Sequence, residues 1–296
     1  NSVAINKGSN SYYAIGLTPD ISAVTTDVAG NNRMTGTVDM GAYEFELPIV
    51  TSNATVYVSQ SGSGTRDGSS WINATNDLQQ AIQKSTANVY VAGGAYKPVF
   101  PKNTDFTSGY TIDPANRDNS FVLKNNIKIY GGFNAISPEG NPSLRDTSAI
   151  STQKSILSGD FNGDDGAAFA NNAENAFSVV LSDGAVGTAQ LNGFTITGGN
   201  TDSNGGGLYI NGSSPALANI SIIANKAFSK GAGIYNVYSG TNSNPILTNS
   251  TISGNEAGDN GGGIYNDTGT IVITNALING NLSANSGGGI HNGAGT

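Results

Sequence analysis

Short runs in which apolar and polar residues alternate recur through the last third of the chain at regular intervals. The isoleucine within one of these runs returns after 26, 30 and 26 residues, as Ile196, Ile222, Ile252 and Ile278. Each run is bounded by Gly, Asn or Ser-Pro and is too short for a helix, so the pattern predicts β-strands. One repeat alone cannot bury its apolar residues. We therefore expect successive repeats to stack in parallel, about 4.8 Å apart, with each isoleucine on that of the next coil.

A glycine-rich unit keeps the same intervals. Three small residues lead into Leu or Ile and then an aromatic residue, at Gly205–Tyr209, Gly231–Asn236, Gly261–Asn266 and Gly287–Asn292. We expect the glycines to let the backbone turn with φ > 0, where a Cβ would clash. The isoleucine runs and the glycine-rich unit recur at the same intervals, and together they predict an all-β fold, a right-handed parallel β-helix solenoid.

An asparagine follows three of the isoleucine runs, as Asn225, Asn255 and Asn281. An asparagine amide can form hydrogen bonds along a stack of coils, and the residue tolerates the left-handed conformation. The pattern therefore predicts an asparagine ladder at a second corner of the solenoid.

Residues 54–100 have a different pattern. Thr55–Val58 and Val89–Tyr96 alternate as strands, whereas Asn76–Lys84 has the spacing of a short amphipathic helix with Asn76 as its N-cap. Such a helix would cover the open hydrophobic end of a solenoid. We therefore predict a strand–helix–strand cap over 54–100, followed by coils over 101–296.

The early coils are less regular than the later ones. Their apolar runs lie at Ser120–Leu123, Ile127–Phe133, Ile156–Leu157 and Phe177–Leu181. If each run belongs to its own coil, the solenoid has roughly nine or ten coils, about 45 Å long at the strand spacing.

Residues 1–47 have the pattern expected at the C-terminal end of a β-helix unit. The glycine-rich segment Asp27–Glu44 is followed by Leu47–Val50, which has the character of a linker. We predict that 1–47 is the C-terminal tail of a preceding β-helix unit and that 48–53 links it to the next unit. The last coil is then truncated, and the chain is an internal piece of a tandem array.

These segments carry a resemblance to a known class. Asp27–Glu44 resembles the closing motif of bacterial right-handed β-helix repeat proteins. Four further segments resemble the N-terminal opening of the same class, which is common in large exported surface proteins of Bacteroidota: Thr55–Val58, Asp67–Trp71, Asp77–Ala81 and Val89–Pro98. The Gly-Gly-x-Ile/Leu-Tyr repeats are similar to those of polymorphic outer-membrane proteins. The resemblance implies the β-helix fold and an extracellular or cell-surface location, and it implies no particular activity.

Composition narrows the choice of partner. The 296 residues carry a net charge of −8, without the basic stripe that binding to nucleic acid requires. The chain has no cysteine, which excludes disulfides and thiolate metal sites. No apolar run approaches the roughly 20 residues that span a bilayer.

Catalytic residues would have to converge in a groove if this were a polysaccharide lyase or a glycoside hydrolase. From Ser155 onward the Lys and Arg residues are Lys226 and Lys230 alone. The acidic residues of the regular coils are scattered at turns and form no Asp-Asp pair: Asp202, Glu256, Asp259 and Asp267. His291, the single histidine, stands where the other repeats have tyrosine, so we place it in a structural ladder.

One segment has the spacing of metal ligands. Asp160, Asn162 and Asp164 match positions 1, 3 and 5 of a calcium loop. The match stops there. A calcium loop has Gly at position 6 and Glu at position 12, whereas here Gly166 falls at position 7 and Asn171 at position 12. A solvated turn competes with calcium binding, and a bound calcium ion would stiffen the loop without catalysing a reaction.

The sequence thus favours a non-enzymatic structural or adhesive segment of a large secreted or cell-surface bacterial protein. Its expected partners are a surface polysaccharide or another protein, together with neighbouring β-helix units of the same parent chain. The alternative is a carbohydrate-active β-helix. Calcium is the one cofactor that the sequence suggests.

Overall fold

The computed structural model describes residues 50–106, 112–134, 145–148, 153–184, 187–238, 240 and 243–296. Apart from 105 and 106, these belong to a compact unit that spans 49–104 and 112–296. The predicted closing motif, 1–47, and the first residues of the predicted linker lie outside the described ranges.

The described residues form one α-helix, α1 (Leu78–Lys84), and a series of short strands. The strands are β1 (Thr55–Val58), β2 (Asn88–Ala92), β3 (Gly94–Tyr96), β4 (Phe121–Val122), β5 (Lys128–Phe133), β6 (Ser155–Ser158), β7 (Val180–Asp183), β8 (Gln190–Asn192), β9 (Phe194–Thr197), β10 (Asn200–Thr201), β11 (Leu208–Asn211), β12 (Ala216–Ala218), β13 (Ser221–Ile223), β14 (Lys226–Ala227), β15 (Ile234–Val237), β16 (Ile246–Ser253), β17 (Glu256–Ala257), β18 (Ile264–Asn266), β19 (Val272–Asn279), β20 (Leu282–Ser283) and β21 (Ile290–Asn292). A short 3₁₀ turn lies at Ala167–Phe169.

Parallel pairing between these strands builds a β-solenoid of about seven turns, which confirms the predicted fold class. One ladder runs β1-β2-β5-β8-β12-β16-β19 and a second runs β3-β6-β9-β13-β16-β19; β16 and β19 are long enough to belong to both. A third ladder is β4-β7-β11-β15-β18-β21, and a short corner ladder is β10-β14-β17-β20.

The estimate of nine or ten coils was too high. β4 is the third-ladder strand of the coil that holds β2 and β3, and β5, β6 and β7 all belong to the next coil. Long excursions separate the strands within these coils, so apolar runs far apart in sequence share one turn of the solenoid.

Identical or closely similar side chains stack in the regular coils. Ile222 pairs in register with Ile196 on one side and Ile252 on the other, and all three are fully buried. In the third ladder Ile234 lies between Leu208 and Ile264, which are equally buried. Burying a side chain of this size contributes about 1.5–3 kcal/mol, so the interior column stabilises the solenoid coil by coil.

The glycines of each triplet have different roles. Gly205, at the first position, has φ +76°, which favours glycine. A Cβ on Gly207, at the third position, would lie 2.7 Å from the Gly233 carbonyl oxygen and 2.9 Å from Nδ2 of Asn225. The third glycine is therefore required by close packing against the next coil and the asparagine ladder, and not by its φ.

The predicted asparagine ladder is present, but its asparagines are not the left-handed residues. Nδ2 of Asn225 donates to Oδ1 of Asn255 at 3.0 Å, and Nδ2 of Asn255 donates to Oδ1 of Asn281 at 2.9 Å. The positive φ belongs to the preceding position, which is Ala224, Gly254 or Gly280. That turn directs each asparagine side chain inward, where Asn225 and Asn255 are buried.

The N-terminal end of the solenoid is covered. Thr75 pairs with the outer edge of β1, donating its N–H to Tyr57 O and accepting from the N–H of Ser59. α1 contacts β1, β2 and β4, and its N-cap is Asp77 in place of the predicted Asn76. Asp77 accepts from the Gln80 N–H at 2.8 Å through a side chain that is itself buried.

Candidate functional site

The predicted calcium loop follows β6 and carries a cluster of three carboxylates. Ligand oxygens of Asp160, Asp164 and Glu174 lie within 4.8 Å of one another. Glu174 joins the cluster because the chain returns to β6 before it continues into β7. Its Oε1 accepts from the N–H of Asn162 at 3.4 Å. The sequence spacing named Asp160 and Asp164 but did not point to Glu174, whose position in the chain fits no calcium-loop pattern.

Hydrogen bonds within the loop already involve Asp160. Its Oδ1 accepts from the backbone N–H groups of Gly163 and Asp164, and its Oδ2 accepts from that of Asp165 at 3.3 Å. Burial raises the pKa of Asp165, with further contributions from the nearby carboxylates. A cation would relieve this repulsion, and calcium at Asp160, Asn162 and Asp164 stays a prediction.

The aromatic positions of the glycine-rich repeats form one stacked column. The ring centroids of Tyr209 and Tyr235 are 5.3 Å apart, those of Tyr235 and Tyr265 are 5.6 Å apart, and those of Tyr265 and His291 are 5.0 Å apart. The rings of the last pair are nearly parallel, with an angle of 7° between their planes. His291 also pairs with Tyr265 in the strand register, which confirms its predicted place in the column.

Most rings of the column have a structural role, because they pack against neighbouring rings and side chains. Burial raises the pKa of Tyr235 to about 12. The Tyr265 hydroxyl accepts from Nζ of Lys230 at 3.3 Å, and this bond raises the pKa of Lys230. The same ammonium group lies 4.7 Å from the Tyr265 ring centroid, a favourable cation–π distance.

A cleft of about 460 Å³ begins where the aromatic column stops. Tyr209 pairs in register with Leu181, so the coil before Tyr209 has no ring at this position. Strands β7 and β11, the turn after β10 and the segment around Lys102 and Asp118 form the walls. Its volume is within the range typical of small-ligand sites.

The cleft contains three carboxylates, each with a polar partner. Asp183 accepts from Nδ2 of Asn211 at 2.8 Å, and these two residues are paired in the β7–β11 register. Asp118 lies 3.4 Å from Nζ of Lys102. Asp202 lies 3.5 Å from a guanidinium nitrogen of Arg117 and is largely exposed.

Arg117, the ion-pair partner of Asp202, is anchored by its surroundings. Its Nε donates to Asn175 O at 2.8 Å and another guanidinium nitrogen donates to Asn200 O at 2.6 Å. The guanidinium also lies over the Phe177 ring, 4.2 Å from its centroid. Three anchoring contacts restrict the rotamers of Arg117, so the edge of the cleft is preorganised.

Sequence reasoning did not identify this cleft. Asp202 was noted as one of several scattered carboxylates, and Asp183 and Asn211 were not singled out. Its walls come from three successive coils, the first of which contributes only the irregular segment near 102–120, so no period in the sequence marks the cleft. The one available signal was the change from Leu181 to Tyr209 at equivalent positions.

The chain matches no protein-family model, no curated protein and no solved structure. Within the described ranges, no helix is both long enough and apolar enough to cross a bilayer.

Proposed function

We propose that the chain is a structural and adhesive segment of a large bacterial cell-surface or secreted protein, of the β-helix repeat class that its motifs resemble. The observation that carries this proposal is the unbroken register of the regular coils. Strands, isoleucines, asparagines and aromatic rings all continue from coil to coil at 26- or 30-residue steps. Such continuity gives a stiff support with a repetitive exterior.

The polar groups of the coils support a structural role. Buried asparagines bond to the next coil, and Lys226 and Glu256 form an ion pair across two coils at 2.8 Å. Neighbouring β-helix units of the parent chain and a surface polysaccharide or protein are the proposed partners.

A carbohydrate-active enzyme is the second candidate, favoured by the carboxylates of the cleft. Glycoside hydrolysis requires one carboxyl group as acid and another as base or nucleophile. Asp183 and Asp202 are the residues that this alternative would use. Asp202 is already engaged in an ion pair with Arg117, so a substrate would have to compete with the guanidinium for this carboxylate.

Two measurements on the purified chain test the proposal. Beads coated with the chain should be retained on at least one surface among immobilised dextran, mannan, polygalacturonate, collagen and fibronectin, compared with uncoated beads. Incubation with the same polysaccharides should release no oligosaccharide. Absence of retention on every surface would overturn the adhesive role, and released sugar would favour the enzyme.

A further inference from the structure

The geometry points to the cleft beside Tyr209 as a binding site for a neutral oligosaccharide. This inference rests on the adhesive part of the proposed function and names its site and ligand class. It begins with the aromatic column. In the regular coils each ring is followed by another ring, whereas Tyr209 is followed on the cleft side by Leu181, which is smaller.

A sugar ring suits the place that the missing aromatic ring leaves. The C–H face of a pyranose is slightly positive and packs on the negative face of an aromatic ring. Tyr209 is half-buried and held from the other side by Tyr235, so it provides a fixed platform. Leu181, on the cleft wall, adds apolar surface beneath the same position.

Polar groups beside this platform match sugar hydroxyls. Asn211 donates to one oxygen of Asp183, which leaves the second oxygen of Asp183 and Oδ1 of Asn211 as acceptors. Two acceptors on adjacent strands are suited to neighbouring hydroxyl groups of one sugar. Asp202, placed by Arg117, offers a further charged acceptor near the opposite wall.

The charges of the cleft select a neutral ligand. Asp118 is balanced by Lys102 and Asp202 by Arg117, and Asp183 has a neutral partner. The cleft therefore has a small negative excess, within a chain of net charge −8. Polyuronates, sulfated glycans and phosphates would be repelled, because no unpaired cation among the lining residues is available to neutralise them.

An exposed aromatic residue lies on the coil that follows Asp202, outside the cleft lining. The corner ladder pairs Thr201 with Ala227, which places Phe228 one coil beyond Asp202. Phe228 is 77% exposed, although its N–H is bonded to Thr201 O at 2.9 Å. A large apolar side chain exposed one coil from a polar cleft is suited to a second sugar residue, so the ligand that we infer is an oligosaccharide and not a single sugar.

Calorimetric titration with soluble oligosaccharides tests the inference. The probes are maltohexaose, cellohexaose, xylohexaose and mannohexaose as neutral sugars, and trigalacturonate as an acidic one. We expect at least one neutral sugar to bind and trigalacturonate not to bind. Failure of all four neutral sugars, or binding of trigalacturonate alone, overturns the inference.

Matched variants locate the binding. Y209L gives Tyr209 the side chain found at Leu181, and its control is H291L at the far end of the same column. D183N removes one charge from the cleft, and its control is D267N, which lies outside the cleft. Cleft variants should bind the sugar at least tenfold more weakly, and controls should stay within twofold of the unmodified chain. Equal binding by the cleft variants and the unmodified chain would contradict the inference.

The two proposals fail separately. If coated beads are retained but no soluble neutral sugar binds, the adhesive role stands and the cleft assignment falls. If neutral sugars bind in the cleft but are cleaved, the cleft assignment stands and the non-enzymatic role falls. Far-ultraviolet circular dichroism of each variant verifies that a loss of binding does not come from unfolding.

Discussion

The side-chain amide of Gln79 forms a two-way hydrogen-bonded pair with the backbone of Val122. Nε2 of Gln79 donates to Val122 O at 3.1 Å, and Oε1 of Gln79 accepts from the Val122 N–H at 2.8 Å. β4 is the edge strand of the third ladder, and Phe121 and Leu123, on either side of Val122, already bond to the next coil. The backbone N–H and C=O of Val122 therefore point away from the next coil, and the side chain of Gln79 bonds to them as a neighbouring strand would.

Replacing Gln79 with methionine should destabilise the N-terminal end. The Q79M side chain fills similar space but leaves the N–H and C=O of Val122 without partners. We expect a loss of about 1–3 kcal/mol in the free energy of unfolding, the usual range for unsatisfied groups. Urea unfolding measures it. Q83M, in the same helix at a half-buried position, should change the free energy by less than about 0.5 kcal/mol.

Asp77 should make stability depend on pH. Burial raises the pKa of Asp77 to about 6, whereas the ordinary value is 3.8. Because the folded-state pKa lies above the unfolded-state value, the folded chain holds this proton more tightly. The free energy of unfolding should therefore fall as pH rises from about 4 to about 6, by roughly 3 kcal/mol from this group.

D77N separates this effect from that of the other carboxylates. Asparagine is a good N-cap and can accept from the Gln80 N–H, but it does not titrate. The difference in unfolding free energy between D77N and the unmodified chain should move in favour of D77N between pH 4 and pH 7. Parallel pH profiles for the two proteins would show that Asp77 is not the source.

Asn255 should be the most sensitive position of the asparagine ladder. It is 1% exposed; its Oδ1 accepts from both nitrogens of Asn225, and its Nδ2 donates to Ile222 O at 2.9 Å. N255A removes these bonds and should cost about 3 kcal/mol. Amide exchange at Asn225 should accelerate by roughly 100-fold. N279A, at an exposed position of β19, should leave that exchange rate unchanged.

Ala224 should be improved by replacement with glycine. Its φ is +51°, at a corner where Gly198, Gly254 and Gly280 occupy the neighbouring coils. The left-handed conformation costs a non-glycine residue about 1–2 kcal/mol, while glycine loses about 0.5–1 kcal/mol in entropy. A224G should therefore raise the free energy of unfolding by roughly 0.5–1 kcal/mol. A284G, an exposed position without positive φ, should lower it by a similar amount.

The regular coils could be predicted from sequence because their interior is repetitive. Ile222 and Tyr235 have equivalents in the neighbouring coils, so spacing alone placed them in stacks. Single-copy features gave weaker signals. The N-cap fell on Asp77 and not Asn76, because both residue types suit that position and only the packing of α1 distinguishes them.

The cleft could not be predicted for the opposite reason. Asp183 and Asn211 are adjacent in the third ladder, yet they are 28 residues apart and resemble ordinary turn residues in the sequence. Glu174 likewise reaches Asp160 and Asp164 through the path of one irregular excursion. Neither grouping recurs along the chain, so no regular spacing in the sequence reveals it.

The steps of 26 and 30 residues between coils have a mechanical consequence. The hydrogen bonds of all four ladders point along the solenoid axis, so a pull between its two ends acts on the bonds of one terminal coil before it reaches the next. A tethered chain under tension should therefore unravel in a series of similar events. In the regular coils from β8 onward, each event would release 26 or 30 residues, about 90–100 Å of extended chain, and absorb energy while the remaining coils stay intact.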